Sequence, residues 1–442
     1  MSERDTLRTY FRGAWELARA ARGPSLGPAR LERLRDRRLR RIVSHAYANV
    51  PRYRRLFDRA GVRPEAIRTA ADLACLPITT KSELRKLSVG DLVMRGTDLA
   101  RCLHPSTSGT SGEPFTVHWD AAGACIFYAL TARALRMAGA RVTDTLLVIG
   151  PGYYPQGLRI QRLGIGRVRC ASPLQAPAAI ADAINATRPD VLHAYASVLK
   201  SLVGHLRSTG TALHRPRVIV SSADYLDEVT RRECGALLGV EPVQMYGAVE
   251  TGRLGSECLA RDGIHLFTDF VVPELLPLGG EVDDPARRVV LTDLTNFTMP
   301  FLRYDQGDLA EALDGPCRCG SRFPRIRLVF ARSSDVVRLP DGAAVSALRL
   351  GRTLWEAPGV ERFRIAQTSP TRLVVEVVVE QSCDEAPIRA AVAQIGALLP
   401  GIETVFQRVA SIAPSSTGKA VHFEPFRPLE EEQAALRNPT GP

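Results

Sequence analysis

Between residues 120 and 310 the chain alternates helical stretches with short apolar runs, and this alternation leaves few folds open to it. The runs at 145–150, 190–195 and 217–222 have apolar centres, as strands buried on both faces have. The segments 127–138 and 178–186 carry apolar residues at helical spacing. Strands separated by helices of this length predict a layered α/β domain with a parallel sheet. A ligand is then expected at the carboxyl ends of the strands.

A chain of 442 residues exceeds one compact core and divides into two or three domains. No apolar run reaches the length of a membrane span, and the charged N-terminus has no signal-peptide pattern. Nine cysteines, an odd number, suit a reducing compartment with thiols free or metal-bound, so a cytoplasmic protein is expected. The net charge of +11 raises nucleic acid as a partner. Its densest run, residues 30–41, instead sets Leu31, Leu34 and Leu39 among arginines in an amphipathic helical pattern. The expectation is therefore neither nucleic acid nor membrane. The oligomeric state is left open, a homodimer included.

The run Thr107, Ser108, Gly109, Thr110, Ser111, Gly112 joins two glycines to hydroxyl side chains, followed by Glu113 and Pro114. Closely spaced backbone N–H groups in such a run make an anion nest suited to a polyphosphate. The segment 115–119 behind it reads as a strand. Further on, Tyr246, Gly247 and Glu250 follow a strand-like run. Tyr246 could stack on a base, Gly247 allows close backbone approach, and Glu250 offers a carboxylate to Mg²⁺. Asp308 follows Gly307, and a carboxylate can accept from two hydroxyls at once. Cys258, His265, Cys317 and Cys319 supply four ligands, enough to close a tetrahedral Zn²⁺ site of structural type. Lysine occurs at only four positions, 81, 86, 200 and 419. Lys419, alone in an arginine-rich C-terminal region and preceded by Ser-Thr-Gly, suggests a need for a compact ammonium.

Taken in order, these stretches resemble the adenylate-forming superfamily over essentially the whole chain, most of all its phenylacetate–coenzyme A ligase-like branch. The N-terminal segments around Pro51–Phe57 and 76–85 are similar to that branch as well. The resemblance implies a large layered α/β N-terminal adenylation domain over residues 1–331. A hinge at 332–335 and a small mobile α+β lid over 336–442 complete the expected layout. It implies that residues 107–112 hold the ATP phosphates, that Ser222, Ala223 and Asp224 line the adenine pocket, and that Asp308 binds ribose. Glu250 then binds Mg²⁺ with ATP, Arg332 reaches ATP or ribose, Asp335 is the hinge pivot, and Lys419 contacts the attacking carboxylate and the α-phosphate. The sequence departs from the usual motifs at Glu113, often Lys, at Val249, often Thr, and at Ala331, often Gly.

The implied reaction is ATP-dependent activation of a carboxylic acid as its acyl-adenylate, releasing pyrophosphate, then transfer to CoA. The branch implies an aromatic acid, for which Tyr153, Tyr154, His193 and Tyr195 are candidate pocket residues. Two alternatives stand beside this one. The acyl group could pass to a carrier-protein thiol or an amine, or the chain could bind nucleotide without catalysis.

Overall fold

The structure, a computed structural model, describes residues 15–106, 115–150, 159–277, 286–332, 336–341, 343–355, 357–379, 383–412 and 423–426. After a helical segment at 15–22 come helices α1 (Pro28–Asn49) and α2 (Pro51–Ala60), each with proline in its first turn, where the missing N–H costs no hydrogen bond. The arginine-rich helix α1 buries Leu31, Leu39, Ile42, Val43 and Ala46 and leaves Leu34 half-buried. A 3-10 segment, Ala70–Cys75, comes next. The short helix α3 (Lys81–Arg85) follows, started by a capping box in which Thr80 and Glu83 satisfy each other's backbone N–H groups.

Helix α4 (Ala121–Met137) precedes the sheet, capped by Asp120, which accepts from Gly123 N at 2.7 Å. The strands are β1 (Thr145–Ile149), β2 (Arg167–Ala171), β3 (Val191–Tyr195), β4 (Val218–Ser222) and β5 (Val243–Ala248). Helices α5 (Pro177–Thr187), α6 (Ala196–Thr209) and α7 (Glu228–Leu238) connect them. These five strands are parallel, in the order β2-β1-β3-β4-β5.

Alternate residues serve opposite faces of this sheet. Leu146, Val148, Val218, Val220 and Val243 pack on one side with α4. Leu147, Ile149, Leu192, Ala194 and Ile219 pack on the other with α5, α6 and α7. Burial on both sides is why the strands read as continuous apolar runs.

Beyond β5 the direction reverses. Strands β6 (Gly252–Ser256), β7 (Ile264–Leu266), β8 (Val271–Leu276), β9 (Arg287–Asp293), β10 (Tyr304–Leu313) and β11 (Arg325–Arg332) extend the sheet to eleven strands, in the order β6-β7-β11-β10-β9-β8. The pairings β5/β6, β6/β7 and β7/β11 are antiparallel. The expected strand at 115–119 is instead two isolated bridges, Leu103↔Trp119 and Ser106↔Thr116.

The N-terminal helices do not float on this framework. Tyr53 donates to the Pro300 carbonyl at 2.9 Å and accepts from Leu302 N, and Leu39, Ile42, Phe57 and Leu73 share a core with Val272, Leu294 and Leu302. A buried bidentate pair, Arg133 with Asp269 at 2.7 Å, stacks against Phe267, Phe270 and Phe323.

The chain divides into two compact units, the first formed by residues 1–275, 289–306 and 310–328 and the second by 276–288, 307–309 and 329–442. The second contains the pair β12 (Val336–Arg338) and β13 (Ala344–Ser346), and helices α8 (Ala347–Trp355) and α9 (Ala386–Ala397). Its four-stranded sheet runs β16-β15-β14-β17, from β14 (Val360–Ser369), β15 (Arg372–Val379), β16 (Glu403–Arg408) and β17 (Phe423–Glu424). Leu373, Val375, Val377 and Val379 are all buried on one face of β15, against Leu350 and Leu354 of α8 and Ile388 and Ile395 of α9. Among the described residues no helix is long and apolar enough to cross a membrane.

Candidate active site

The carboxyl ends of β3, β4 and β5 lie side by side, with Tyr195 paired to Ser222 in the register. Here the backbone is strained: Ala223 has φ +70°, a left-handed value rare for a residue with a side chain, and Asp224 N–H donates to Ser222 O at 2.9 Å. Such a turn costs on the order of 1–3 kcal/mol and persists where its surroundings hold it. Ser197 at the start of α6 donates to Asp224 Oδ2 at 2.6 Å, and His193 Nε2 lies 2.7 Å from Ser222 Oγ. His193 is buried, and desolvation, reinforced by Arg253, pushes its pKa down to about 3. The ring is neutral at every physiological pH. Arg253 in turn lies over the Phe127 ring and donates to Thr131 Oγ1 at 3.3 Å.

Glu250 occupies the turn between β5 and β6 and is 3% exposed. Its Oε1 accepts from Tyr304 Oη at 2.9 Å and lies 2.8 Å from Lys81 Nζ. Backbone pairing brings these partners together: Thr79 N donates to Arg303 O and Asp305 N to Thr79 O, both at 2.8 Å. The helix begun by Thr80 is thereby placed with its first residue, Lys81, at the carboxylate. Gln306 donates to Thr251 beside it. Val249 packs against the buried cluster that holds Phe115, Val117, Trp119 and Tyr304, an apolar residue where the motif usually has a hydroxyl.

Tyr246 is a core residue, packed with Leu254, Ile264, Leu266 and Val271 and 5% exposed. A Cβ on Gly247 would collide with the carbonyl of Gly252, so the close approach allowed at this glycine is to the facing strand. Asp308 lies half-buried on β10, after Gly307 at φ +75°. Arg332 is the last residue of β11. Residues 107–112, Tyr153, Tyr154, Asp335 and Lys419 lie outside the described residues. On either side of 107–114, His104 Nδ1 and His118 Nδ1 are 2.9 Å apart, and Ser106 Oγ and Thr116 Oγ1 2.8 Å.

Sequence reasoning missed Lys81, Tyr304 and the His104–His118 pair. A signal existed for the first. Lysine is so scarce here that the argument applied to Lys419 singles out Lys81 equally well.

A second cluster stands apart from these strand ends. The ligand atoms of Cys258, His265, Cys317 and Cys319 all lie within 4.8 Å of one another. Cys258 and Cys317 sulfurs are 3.6 Å apart, and Cys319 Sγ is 3.4 Å from His265 Nε2. Zn–S bonds of about 2.3 Å put tetrahedral sulfurs about 3.8 Å apart, so this donor set fits zinc in chemistry and in size. Burial pushes the Cys258 thiol up to about 12. At Cys317 burial acts the same way but is outweighed by hydrogen bonds, the Cys319 N–H first among them, and the thiol is lowered.

No protein-family model matches the chain. It is 31% identical over 322 residues to phenylacetate–coenzyme A ligase of Thermus thermophilus, an alignment covering 70% of this chain and 72% of the relative. The Escherichia coli enzyme of that name is 31% identical over 324 residues, covering 70% and 72%. Among solved structures, 2-hydroxyisobutyryl-CoA ligase in the postadenylation state superposes with a TM-score of 0.74 at 19% identity, covering 94% of this chain and 93% of that one. The fold is thus that of an adenylate-forming CoA ligase. The chain belongs to the phenylacetate–coenzyme A ligase family of that superfamily.

Proposed function

We propose that the chain activates an aromatic carboxylic acid as its acyl-adenylate, releasing pyrophosphate from ATP, and then forms the CoA thioester. It is an AMP-forming ligase. The observation that carries the reading is the buried Glu250 carboxylate, clamped by Lys81 and Tyr304 at the edge of the parallel sheet where this fold class binds ligands. Glu250 fits the magnesium of Mg·ATP, being a buried hard-oxygen donor at the end of a strand. Magnesium bound there neutralises phosphate charge.

The remaining roles are assigned to this chain by family membership. Residues 107–112 cradle the phosphates. Ser222, Ala223 and Asp224 line the adenine site, where the strained turn aims backbone groups at the base. Asp308 holds the ribose, Arg332 reaches the nucleotide, and Lys419 stabilises charge between the attacking carboxylate and the α-phosphate. None of these steps needs a side-chain nucleophile, since positioning and electrostatics carry adenylation. His193 and Tyr195, with Tyr153 and Tyr154, line the acid pocket, and the neutral imidazole adds no charge to it. Residues 332–335, Asp335 among them, form a hinge, about which the unit containing 336–442 moves between the half-reactions. Cys258, His265, Cys317 and Cys319 hold a structural zinc, whose four protein ligands leave no position for substrate.

The test is ATP–pyrophosphate exchange over a panel of aryl and alkyl acids, with CoA added to those that exchange. Exchange confined to aryl acids, followed by CoA consumption, is the expected result. Exchange without CoA consumption would move the acceptor to a carrier-protein thiol or an amine, and no exchange beside tight ATP binding would favour a non-catalytic protein. Metal analysis should return about one zinc per chain.

A further inference from the structure

The four members of the thiol–imidazole cluster are unequal. Cys258, His265 and Cys317 are buried, whereas Cys319 is exposed. Its sulfur accepts the Ser321 backbone N–H at 3.4 Å and faces His265 Nε2, and Arg318 and Arg322 flank it in sequence. Cysteine sulfurs bind zinc as thiolates, the form that reacts with oxidants, and Cys319 is the exposed one of the three, within reach of peroxide in solution. The nearest thiols are then already in place to resolve the product. From the zinc reading above, on which this inference rests, we infer that Cys319 is the peroxide-sensitive corner of the cluster, and that its oxidation dismantles the site and lowers ligase activity reversibly.

The chemistry closes on residues present here plus one oxidant, hydrogen peroxide. The Cys319 thiolate attacks one peroxide oxygen, the O–O bond breaks, and hydroxide leaves, giving a sulfenic acid. The Cys317 or Cys258 thiolate then attacks that sulfur, forming an S–S bond while the S–O bond breaks and a second hydroxide leaves. Two thiolates have lost two electrons, and with two protons the peroxide ends as two waters. Two of the four ligands are consumed, and the remaining thiol and imidazole cannot close a tetrahedron.

The consequence for activity follows from where the ligands sit. Cys258 lies two residues beyond β6, His265 on β7 faces Ser256 of β6, and Cys317 and Cys319 precede β11, which pairs with β7 through Arg325 and His265. The cluster therefore staples β6, β7 and β11 together. Strand β6 is the second arm of the hairpin whose turn carries Glu250. Losing the staple loosens one arm of that hairpin without touching the strand ends of the parallel sheet.

The experiment uses the full chain as purified, with zinc measured first. Limiting hydrogen peroxide is then added while zinc release, cysteine oxidation by peptide mass spectrometry, and pyrophosphate exchange are followed together. The expected result is release of the bound zinc in step with a disulfide joining Cys319 to Cys317 or Cys258, and a matching fall in exchange that a dithiol with added zinc restores. Cys75, also exposed, serves as the internal comparison. Oxidation of Cys75 while Cys319 stays reduced, or zinc release with Cys319 intact, would overturn the inference. The variant Cys319→His keeps a zinc ligand but offers no thiol, so it should retain metal under peroxide, and release at the wild-type rate would also overturn it. Zinc-free fresh protein would instead defeat the zinc assignment itself. Zinc-bound protein with a peroxide-resistant Cys319 would defeat this inference alone.

Discussion

Replacing Tyr304 with phenylalanine removes one hydroxyl and keeps the ring that packs edge-on against Phe301 at 5.2 Å. It therefore removes the 2.9 Å bond to Glu250 Oε1 while leaving the ring in place. Among the described residues the other partner is Lys81. At 2.8 Å, with an effective dielectric between 20 and 80, its attraction to the carboxylate lies between about 1.5 and 6 kcal/mol. A Lys81 side chain 31% exposed draws the value to the lower end. A hydrogen bond to a charged acceptor contributes about 1.5–3 kcal/mol, so the hydroxyl and the ammonium are comparable holds on the carboxylate. If Glu250 must be oriented for Mg·ATP, the variant should lose roughly 10- to 150-fold in kcat/KM for ATP, the kinetic equivalent of that energy. The assay is pyrophosphate exchange at saturating acid, with urea unfolding measured in parallel. A variant destabilised by that amount yet exchanging within twofold of wild type would refute the reasoning and leave the Lys81–Glu250–Tyr304 cluster purely structural.

Lys419→Ala should abolish adenylation while sparing thioester formation from supplied acyl-adenylate, and equal loss of both half-reactions would count against its assigned role. Gly247→Ala drives a methyl into the Gly252 carbonyl, so it should destabilise the hairpin carrying Glu250 and raise the KM for Mg·ATP, whereas a wild-type KM would remove the hairpin from the binding site. Two buried groups set opposing pH dependences. His193 protonates near 6.5 when unfolded but at about 3 when folded, so its contribution to stability is complete above 6.5 and erodes as pH falls. Asp293, raised from 3.8 to about 6 by burial, contributes fully below 3.8 and loses that contribution as pH rises through 6. Each slope approaches about 1.4 kcal/mol per pH unit, so the two offset one another between about pH 4 and 6. His193→Asn should expose the Asp293 slope, with urea midpoints falling as pH rises across that window, and an unchanged profile would contradict it.

The parallel half of the fold was legible because its strands are buried on both faces, so β1, β3 and β4 stand out in composition alone. The antiparallel half was not. Strands such as β10, with Asp305, Gln306, Asp308 and Glu311 among its residues, mix polar and apolar positions, and their pairing is set by distant partners such as β7 with β11. The motif carboxylate Glu250 was legible, yet the two side chains that hold it were not. Lys81 and Tyr304 are brought to Glu250 by pairing of residues 79 and 303–305, more than two hundred positions apart, which no local pattern encodes. The Cys/His set was readable from residue types alone, while its uneven exposure was not. Tyr246 and Gly247 show the converse. Their motif is plain in the sequence, but packing commits the ring to the core and the glycine to its neighbouring strand.

The docking of the first helices on residues 293–305 bears on how the chain emerges during synthesis. Tyr53, Phe57 and Thr79 find their partners only once Pro300, Leu302 and Arg303 exist. At about 5–20 residues per second, translation from Thr79 to Arg303 takes roughly 10–45 s. For that interval the part of this apolar surface that ends against Leu294 and Leu302 lacks its cover, although α1 and α2 already pack on each other and on Ile67, Leu73 and Leu76. The arginines that crowd the opposite face of α1 then keep a waiting segment in solution, a task that ends when the sheet's last strands arrive.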